Sequence, residues 1–208
     1  MRPYYQRGSV TLYHADSLLD ADALGPESVD VIHTDPPYLK QYLPLYGELA
    51  RLAARLLRPH GVLLSIVPHV HLPTVMSLVG PHLTYRWLVT MLQTDGSQAR
   101  YPGPGWCIRI THKPVGLWTK GSMPRVGRIG DSFVSPRGDK GSHRWQQSTA
   151  WGDYGVRWLV EGGHLVDPFC GTGTALVSAL VAGVRATGYE IDEKTCEGAA
   201  KRLDEVTL

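Results

Sequence analysis

A buried strand that ends in an acid, two prolines and an aromatic ring is the first feature of the sequence that could do chemistry. Residues 29–40 read VDVIHTDPPYLK, so an apolar run stops at Asp35 and continues as Pro36, Pro37 and Tyr38. Proline lacks an amide donor and fixes its own φ, so it ends strands. The segment fits a plain strand stop with a turn, or a rigid loop that presents a carboxylate, carbonyl groups and a flat ring.

A glycine turn follows another apolar run late in the chain. Residues 165–180 read LVDPFCGTGTALVSAL, and Gly171 and Gly173 lie between a predicted strand and a predicted helix. Glycines let the backbone turn tightly and let a ligand approach it closely. The free amides of a helix N-terminus favour an anionic group. In this context the glycines indicate a ligand site.

An acid ends the next predicted strand, in the segment GYEID. Glu190 lies about 20 residues beyond the glycines, where a carboxylate can take both hydroxyls of a ribose. The alternative for Glu190 is a solvated helix cap, but the neighbouring Asp192 is the better candidate for that cap. The sequence therefore predicts a nucleoside-containing ligand at this strand end.

The elements that must position these residues alternate along the chain. Strands alternating with helices predict an α/β fold with a doubly wound, mostly parallel sheet, which we expect to have seven strands in one domain spanning residues 1–208. Strands are predicted at 9–16, 29–35, 61–68, 85–93, 164–169 and 184–192, a strand or hairpin within 107–121, and helices at 41–57, 71–80, 174–183 and 193–205.

A basic stretch interrupts this alternation at about residues 95–145. Between Gly96 and Trp145 nine cations stand against two acids, in a chain whose formal net charge is only +2. Three tryptophans, Trp106, Trp118 and Trp145, interleave with the cations. This composition predicts a surface that faces nucleic-acid phosphates, with a flexible solvated loop and some core tryptophans as the alternative. The predicted cations are Arg100, Arg109, Lys113, Lys120, Arg125, Arg128, Arg137, Lys140 and Arg144.

Composition limits the remaining possibilities. No run of about 18 apolar residues and no apolar leader are present, so we expect neither a membrane span nor a signal peptide, and a cytoplasmic location. Cys107, Cys170 and Cys196 are widely spaced and odd in number, which suits reduced thiols rather than disulfides or a metal site.

DPPY after one strand and DPFCGTGT after a later one resemble the amino-group DNA methyltransferases that use S-adenosylmethionine. The order, with DPPY first, then a basic region, then the glycine turn, is similar to the circularly permuted β-class. The resemblance implies a Rossmann-like methyltransferase fold with both motifs at the carboxyl ends of adjacent strands. It also implies a bacterial protein, or a viral one acting in a bacterial host.

The resemblance also implies roles for individual residues. Asp35, Pro36, Pro37 and Tyr38 would form the catalytic loop, with Tyr38 stacking on a base flipped out of the duplex. DPPY favours the N6 amino group of adenine in DNA, because the cytosine-N4 relatives more often carry serine in place of the aspartate. The implied cofactor-binding residues are Asp16, Asp167, Phe169, Gly171, Gly173, Thr174 and Glu190.

One segment departs from the family pattern. Where the family has His-Pro-x-Gln-Lys-Pro, this chain reads HRWQQST, so only His143 and Gln146 match as cofactor-binding candidates. The basic stretch occupies the target-recognition position and is short, so help from a second subunit, as in a homodimer, is one expectation. Open alternatives are methylation of cytosine N4, of RNA or of a protein glutamine, and a nucleic-acid-binding protein without catalysis. A nicotinamide-dependent oxidoreductase is a remote alternative, because the third glycine of its fingerprint is missing.

Overall fold

A computed structural model describes residues 2–21, 24–94, 108, 110–136 and 148–207 of the chain. In these ranges the strands are β1 (Tyr5–Arg7), β2 (Val10–His14), β3 (Val29–Thr34), β4 (Leu57–Ile66), β5 (Thr84–Gln93), β6 (His112–Thr119), β7 (Ser132–Ser135), β8 (His164–Asp167) and β9 (Arg185–Glu190). The helices are α1 (Ser17–Asp20), α2 (Pro44–Leu56), α3 (Leu72–Val79), α4 (Thr149–Val156), α5 (Thr174–Val181) and α6 (Glu193–Asp204).

All of the described strands join one sheet in the order β1-β2-β9-β8-β3-β4-β6-β5-β7. The strands β2, β9, β8, β3 and β4 pair in parallel, and β6 runs antiparallel between β4 and β5. The doubly wound α/β class is thus confirmed. The sheet has nine strands rather than the expected seven, because the short strands β1 and β7 are added at its two edges.

Two apolar layers cover the two faces of the sheet. One contains α4, α5 and α6, and the other contains α1, α2 and α3. Strand β4 shows why both layers are needed, since Leu64 packs into the first layer and Leu63 into the second. The uninterrupted apolar run GVLLSIVP therefore reflects burial on both faces of the sheet.

Several predicted boundaries shift for local reasons. The helix predicted at 41–57 begins at Pro44, a residue suited to a first helical position, after a 3-10 turn over Lys40–Tyr42. Strand β4 starts at Leu57 rather than at residue 61, with a register shift against β3 between Val29 and Val31. Strand β6, part of the predicted basic insert, lies within the main sheet.

Helix α4 was not predicted, and its glycines explain both the omission and the packing. Glycine lowers helix propensity, and α4 contains Gly152 and Gly155. A Cβ on Gly155 would lie 2.3 Å from the ring of His33, and one on Gly152 would lie 2.8 Å from the carbonyl oxygen of Thr174. The glycines allow α4 to approach β3 and α5 closely enough to complete the layer over the site.

Candidate active site

The two sequence motifs meet at the carboxyl edge of the sheet. Strands β3 and β8 are parallel neighbours, with Val31 opposite Leu165 and Ile32 opposite Val166. The Thr34 hydroxyl donates a hydrogen bond of 2.8 Å to Asp167 Oδ1. This buried bond joins the residue that precedes DPPY to the first residue of DPFCGTGT.

Asp167 is only 5% exposed, and its environment changes its titration. Burial raises the pKa of this carboxyl to about 7, partly offset by hydrogen bonds from the Thr34 hydroxyl and the Phe169 amide. The amide of Phe169 lies 3.1 Å from Asp167 Oδ1. The negative charges of Asp35 and Glu190 raise the pKa further. This carboxyl is therefore partly protonated near neutral pH.

The glycine turn has a left-handed backbone, which glycine adopts readily. Gly171 and Gly173 have φ of +50° and +75°, in the left-handed region, and Gly173 is the N-cap of α5. A Cβ on Gly173 would come within 3.2 Å of Ala199 Cβ, whereas one on Gly171 would meet nothing within 4 Å. The backbone at Gly171 thus faces open space, which suits the close approach of a ligand.

Glu190 is attached to this turn through its carboxylate. Its Oε2 accepts from the Gly171 amide at 3.0 Å and its Oε1 accepts from the Asp192 amide at 2.9 Å. Each carboxylate oxygen has a second acceptor position, so Glu190 can still bind hydroxyls. The predicted cap is confirmed, since Asp192 accepts from the Thr195 amide at 2.8 Å at the start of α6.

Asp16 lies at the same edge, next to Glu190. The amide of Ala15 donates to the Glu190 carbonyl at 2.9 Å, so Asp16 follows directly where β2 passes the end of β9. Its Oδ1 accepts from the Leu18 amide at 2.9 Å and caps the single turn of α1. The structure therefore brings Asp16, Glu190 and the glycine turn together.

A central cleft of about 180 Å³ opens between the two motifs. Sequence reasoning missed Trp151 of α4, which is 2% exposed and lines this cleft. Its carbonyl accepts from His33 Nε2 at 2.9 Å, and burial lowers the pKa of His33 to about 3, so the ring is neutral. The lining residues are Asp35, Trp151, Asp167, Phe169, Cys170, Gly171, Thr172, Thr174, Ala175 and Thr195.

The DPPY segment borders the cleft with its aspartate inward and its ring outward. The Asp35 side chain is 21% exposed, Pro36 is buried, and Pro37 and Tyr38 are exposed. Tyr38 retains 40% of its accessible surface. A ring placed in this way is free to stack on a planar group that reaches Asp35 from the solvent.

The predicted phosphate-binding cations divide between the two edges of the sheet. Lys113, at the start of β6, has its Nζ 3.7 Å from Asp35 Oδ2. Lys120 follows the other end of β6 and pairs with Glu27 at 3.0 Å. Arg125 and Arg128 are exposed on the segment between β6 and β7. Outside the described residues lie Arg100, Arg109, Arg137, Lys140 and Arg144, together with the cofactor candidates His143 and Gln146.

The predicted role of the tryptophans is wrong for Trp118. Its side chain is fully buried in the layer formed with α2 and α3, so it cannot stack on a nucleic acid. The signal in the sequence that could have predicted this burial is the position of Trp118 on a strand among small and apolar residues. Trp106 and Trp145 lie outside the described residues.

Arg202 is a second residue that sequence reasoning missed. Its Nη1 donates to the carbonyl of Thr172 at 2.6 Å and to the hydroxyls of Thr172 and Thr174 at 3.0 and 3.3 Å. Burial lowers the pKa of this guanidinium from its ordinary value. Arg202 thus connects α6 to the turn that lines the cleft.

Two larger hollows, of about 410 and 570 Å³, lie away from this site. The first is at the opposite, amino edge of the sheet, beside Asp30 and His60, and the second lies along β5 and contains Trp87. The central cleft is smaller, but it contains five of the predicted site residues. Convergence of the predicted groups, rather than size, identifies it as the candidate site.

The described residues show two further properties. They contain no group of three or more His, Cys, Asp or Glu side chains arranged to hold a metal ion, and Cys170 and Cys196 are buried free thiols. None of the described helices has the length and apolar character that crossing a membrane requires. Cys107 lies outside the described residues.

With this geometry, the fold is the Rossmann-like α/β fold of the DNA methyltransferases. The PvuII cytosine-N4-specific DNA methyltransferase matches 99% of this chain and 90% of its own, with a TM-score of 0.85 and 13% identity. The complex of M1.HpyAVI with SAM matches 93% of this chain and 99% of its own, with a TM-score of 0.72 and 18% identity.

Sequence comparison gives a shorter match. No family model matches the chain. A stretch of 42 residues, 20% of this chain, is 45% identical to the tRNA (guanine(10)-N2)-dimethyltransferase of Methanothermobacter thermautotrophicus. The chain spans only 12% of the length of that curated relative.

Proposed function

We propose that this chain transfers a methyl group from S-adenosylmethionine to the exocyclic N6 amino group of adenine in DNA. The observation that carries the proposal is the buried hydrogen bond between Thr34 and Asp167. It places the DPPY loop and the glycine turn on the two sides of one cleft. A methyl donor held by the turn and an amino group held by Asp35 would then be adjacent.

The residues around the turn suit the proposed cofactor. Glu190, beside the open backbone of Gly171, would bind the ribose, and Asp16 would face the adenine ring. The cleft of about 180 Å³ is smaller than the roughly 300–1,000 Å³ of common ligand sites. It would hold the methionine end, near Asp167 and Thr174, while the nucleoside lies along the rim. When bound, S-adenosylmethionine supplies a methyl group already activated as a sulfonium.

The DPPY loop would orient the target. The lone pair of an exocyclic amino group is delocalised into the base, so the amino group must be held with its lone pair towards the methyl group. The Asp35 carboxylate and the Pro36 carbonyl would accept its two hydrogens. Tyr38 would stack on the base, an interaction worth roughly 1–3 kcal/mol, which is comparable to the cost of extruding a base. Most of the rate enhancement would come from proximity and alignment.

Methylation of cytosine N4 is a second candidate for the same residues. The PvuII enzyme, which is cytosine-N4-specific by name, shares the fold over 99% of this chain. Cytosine offers an amino group that Asp35 and Pro36 could hold in the same way. The base is therefore the first property to measure.

The test is nucleoside mass spectrometry on DNA and RNA from a methylation-deficient host that expresses the chain. We expect N6-methyladenine in DNA, with sequencing of the modified sites to give the recognition sequence. Replacing Asp35 by alanine should lower turnover at least about 100-fold, since a charge-assisted hydrogen bond contributes roughly 1.5–3 kcal/mol and alignment is lost with it. Calorimetry should show that Asp35→Ala still binds S-adenosylmethionine.

Asp153→Ala is the matched control, because Asp153 is an exposed acid of α4 away from the cleft lining. Near-normal turnover in Asp35→Ala would refute the role of Asp35. N4-methylcytosine instead of N6-methyladenine would keep the mechanism and change the base. Soluble protein that binds S-adenosylmethionine but modifies neither nucleic acid would contradict the proposal and favour a protein substrate or a non-catalytic role.

A further inference from the structure

Lys113 occupies an unexpected place for a phosphate-binding residue. Its ammonium lies 3.7 Å from Asp35 Oδ2, and the two side chains are 19% and 21% exposed. Both charges also act on Tyr38. Burial is the largest cause of the raised pKa of its phenol; the Lys113 ammonium lowers this pKa and the Asp35 carboxylate raises it. The cation is therefore part of the DPPY site in the free protein, although it remains accessible to solvent.

The backbone of Lys113 is fixed by the sheet, so only its side chain can move. Lys113 pairs with Met91 of β5, and the next residue, Pro114, accepts a hydrogen bond of 3.0 Å from the Val67 amide. Because β6 is antiparallel to β4, its first residues lie at the carboxyl edge with Asp35. Four side-chain torsions then let the ammonium reach either Asp35 or a group outside the cleft.

This ion pair conflicts with the chemistry proposed for Asp35. An amino nitrogen that forms a bond to a methyl group gains positive charge until it loses a proton, and an ammonium nearby opposes that charge. The same ammonium competes with the amino hydrogens for the carboxylate oxygens. Methyl transfer is therefore favoured when Lys113 leaves Asp35 as the target base enters.

We propose that Lys113 exchanges Asp35 for a backbone phosphate of the bound nucleic acid, and that this exchange releases Asp35 for the target amino group. Both side chains are about four-fifths buried, and the cost of desolvating them offsets much of their mutual attraction, whereas a phosphate contact also releases condensed counterions. The inference rests on the proposed function and narrows its substrate class. The substrate would be a polynucleotide, because a free nucleoside or a protein side chain brings no backbone phosphate.

The test compares the salt dependence of DNA binding in wild type, Lys113→Gln and Lys113→Arg. End-labelled, sheared genomic DNA from a methylation-deficient host is bound in filter assays with sinefungin at 50–200 mM NaCl. Each phosphate contact contributes about 0.9 to the slope of log affinity against log salt. We expect Lys113→Gln to lower the slope by about one and Lys113→Arg to retain it. Lys201→Gln, which removes an exposed lysine of α6, is the matched control and should retain the slope.

Kinetics on the same DNA provide the second measurement. At 150 mM NaCl, the KM of Lys113→Gln for DNA should rise several-fold, because one phosphate contact is lost, and kcat should be retained, because the competing ammonium is absent. A slope equal to that of wild type would overturn the exchange, whether kcat falls or not. If no nucleic acid is ever methylated, the proposed function fails, yet the slope still decides whether Lys113 reaches a phosphate.

Discussion

Two carboxylates at adjacent strand ends have opposite environments. Asp167 is nearly inaccessible to solvent and accepts hydrogen bonds from the Thr34 hydroxyl and the Phe169 amide. Asp35 is one-fifth exposed and lies beside an ammonium. A buried carboxyl with a raised pKa gains most from a cationic ligand, because such a ligand stabilises its charged form. An accessible carboxylate is better placed to receive a substrate that arrives from solvent.

Cofactor affinity should therefore depend on pH through Asp167. Its pKa of about 7 means that lowering the pH from 8 to 6 protonates most of the carboxyl. If Asp167 binds the ammonium of the methionine end, the Kd for S-adenosylmethionine should rise about tenfold over this range. Isothermal titration calorimetry measures this Kd. The Asp167→Asn variant should bind S-adenosylmethionine more weakly, with a Kd that depends little on pH. A wild-type Kd that is constant from pH 6 to pH 8 would argue against this contact.

At the residue scale, the sequence was informative where a residue's role follows from its place after a strand. Asp35, Asp167, Gly171 and Glu190 were found in this way, and the structure brings them together. The bond from Thr34 to Asp167 spans 133 positions, so only the pairing of β3 and β8 reveals it. The ion pair of Lys113 was hidden for the same reason.

Among the elements, α6 supports the cofactor turn from behind. Arg202 holds both Thr172 and Thr174 with one nitrogen, and Ala199 packs against Gly173. The turn itself contains two left-handed glycines, a conformation that glycine adopts without strain, so contacts with α6 help to select it among the many that glycine allows. The position of the cleft lining thus depends on a helix that contributes only Thr195 to it.

Replacing Arg202 by methionine should weaken cofactor binding. The change removes hydrogen bonds from a charged donor, each contributing roughly 1.5–3 kcal/mol, while keeping the apolar stem. We expect the Kd for S-adenosylmethionine to rise about 10- to 100-fold by calorimetry, with partial recovery in Arg202→Lys. Lys201→Met is the control on the exposed side of α6. Equal Kd values for Arg202→Met and wild type would exclude this support.

At the element scale, prediction succeeded where apolar residues recur regularly, and it failed for the four-residue strand β7 and for α4, which has two glycines in eight residues. Helices α2, α3, α5 and α6 were found because their apolar residues recur at helical spacing. Helix α4 has Trp151 and Tyr154 at such spacing, but its glycines hid the pattern. Strand β7 has four residues, too few for a reliable alternation.

At the scale of the whole molecule, three buried ionisable groups among the described residues contribute to the dependence of stability on pH. Burial lowers the pKa of His33 to about 3 and of His164 to about 4, and it raises the pKa of Asp167 to about 7. The unfolded histidines take up protons near pH 6.5, so their contribution to stability falls below that pH. The folded chain protonates Asp167 before the unfolded chain does, so its contribution rises as pH falls through 7.

The free energy of unfolding should therefore decrease as pH falls from 6.5 to 4.5. Two histidines against one aspartate give a net slope of about 1.4 kcal/mol per pH unit, and half-buried His112, whose pKa is also lowered, acts in the same direction. Asp167→Asn removes the opposing group and should roughly double the slope. Urea unfolding at several pH values measures both. Stability that is constant or rising towards pH 4.5 would contradict the assignment.

The class of the whole fold followed from the alternation of strands and helices, because few topologies satisfy it. The order of the strands within the sheet could not be predicted from this alternation. Strand β6 lies between β4 and β5 although β5 precedes it directly in the chain, and it runs against both. Nothing local in HKPVGLWT encodes that placement, which depends on contacts with two other strands.

The two ends of the described chain lie side by side. Arg7 donates to the carbonyls of Leu203 and Val206, and the Tyr5 hydroxyl donates to Asp204. A short linker could thus close the polypeptide into a ring, and reopening it between β7 and α4 would place DPFCGTGT ahead of DPPY without moving either. The order of the two motifs along the chain would then reflect evolutionary history and would not affect the mechanism. Searches for distant relatives of this chain should accept either order of the two motifs.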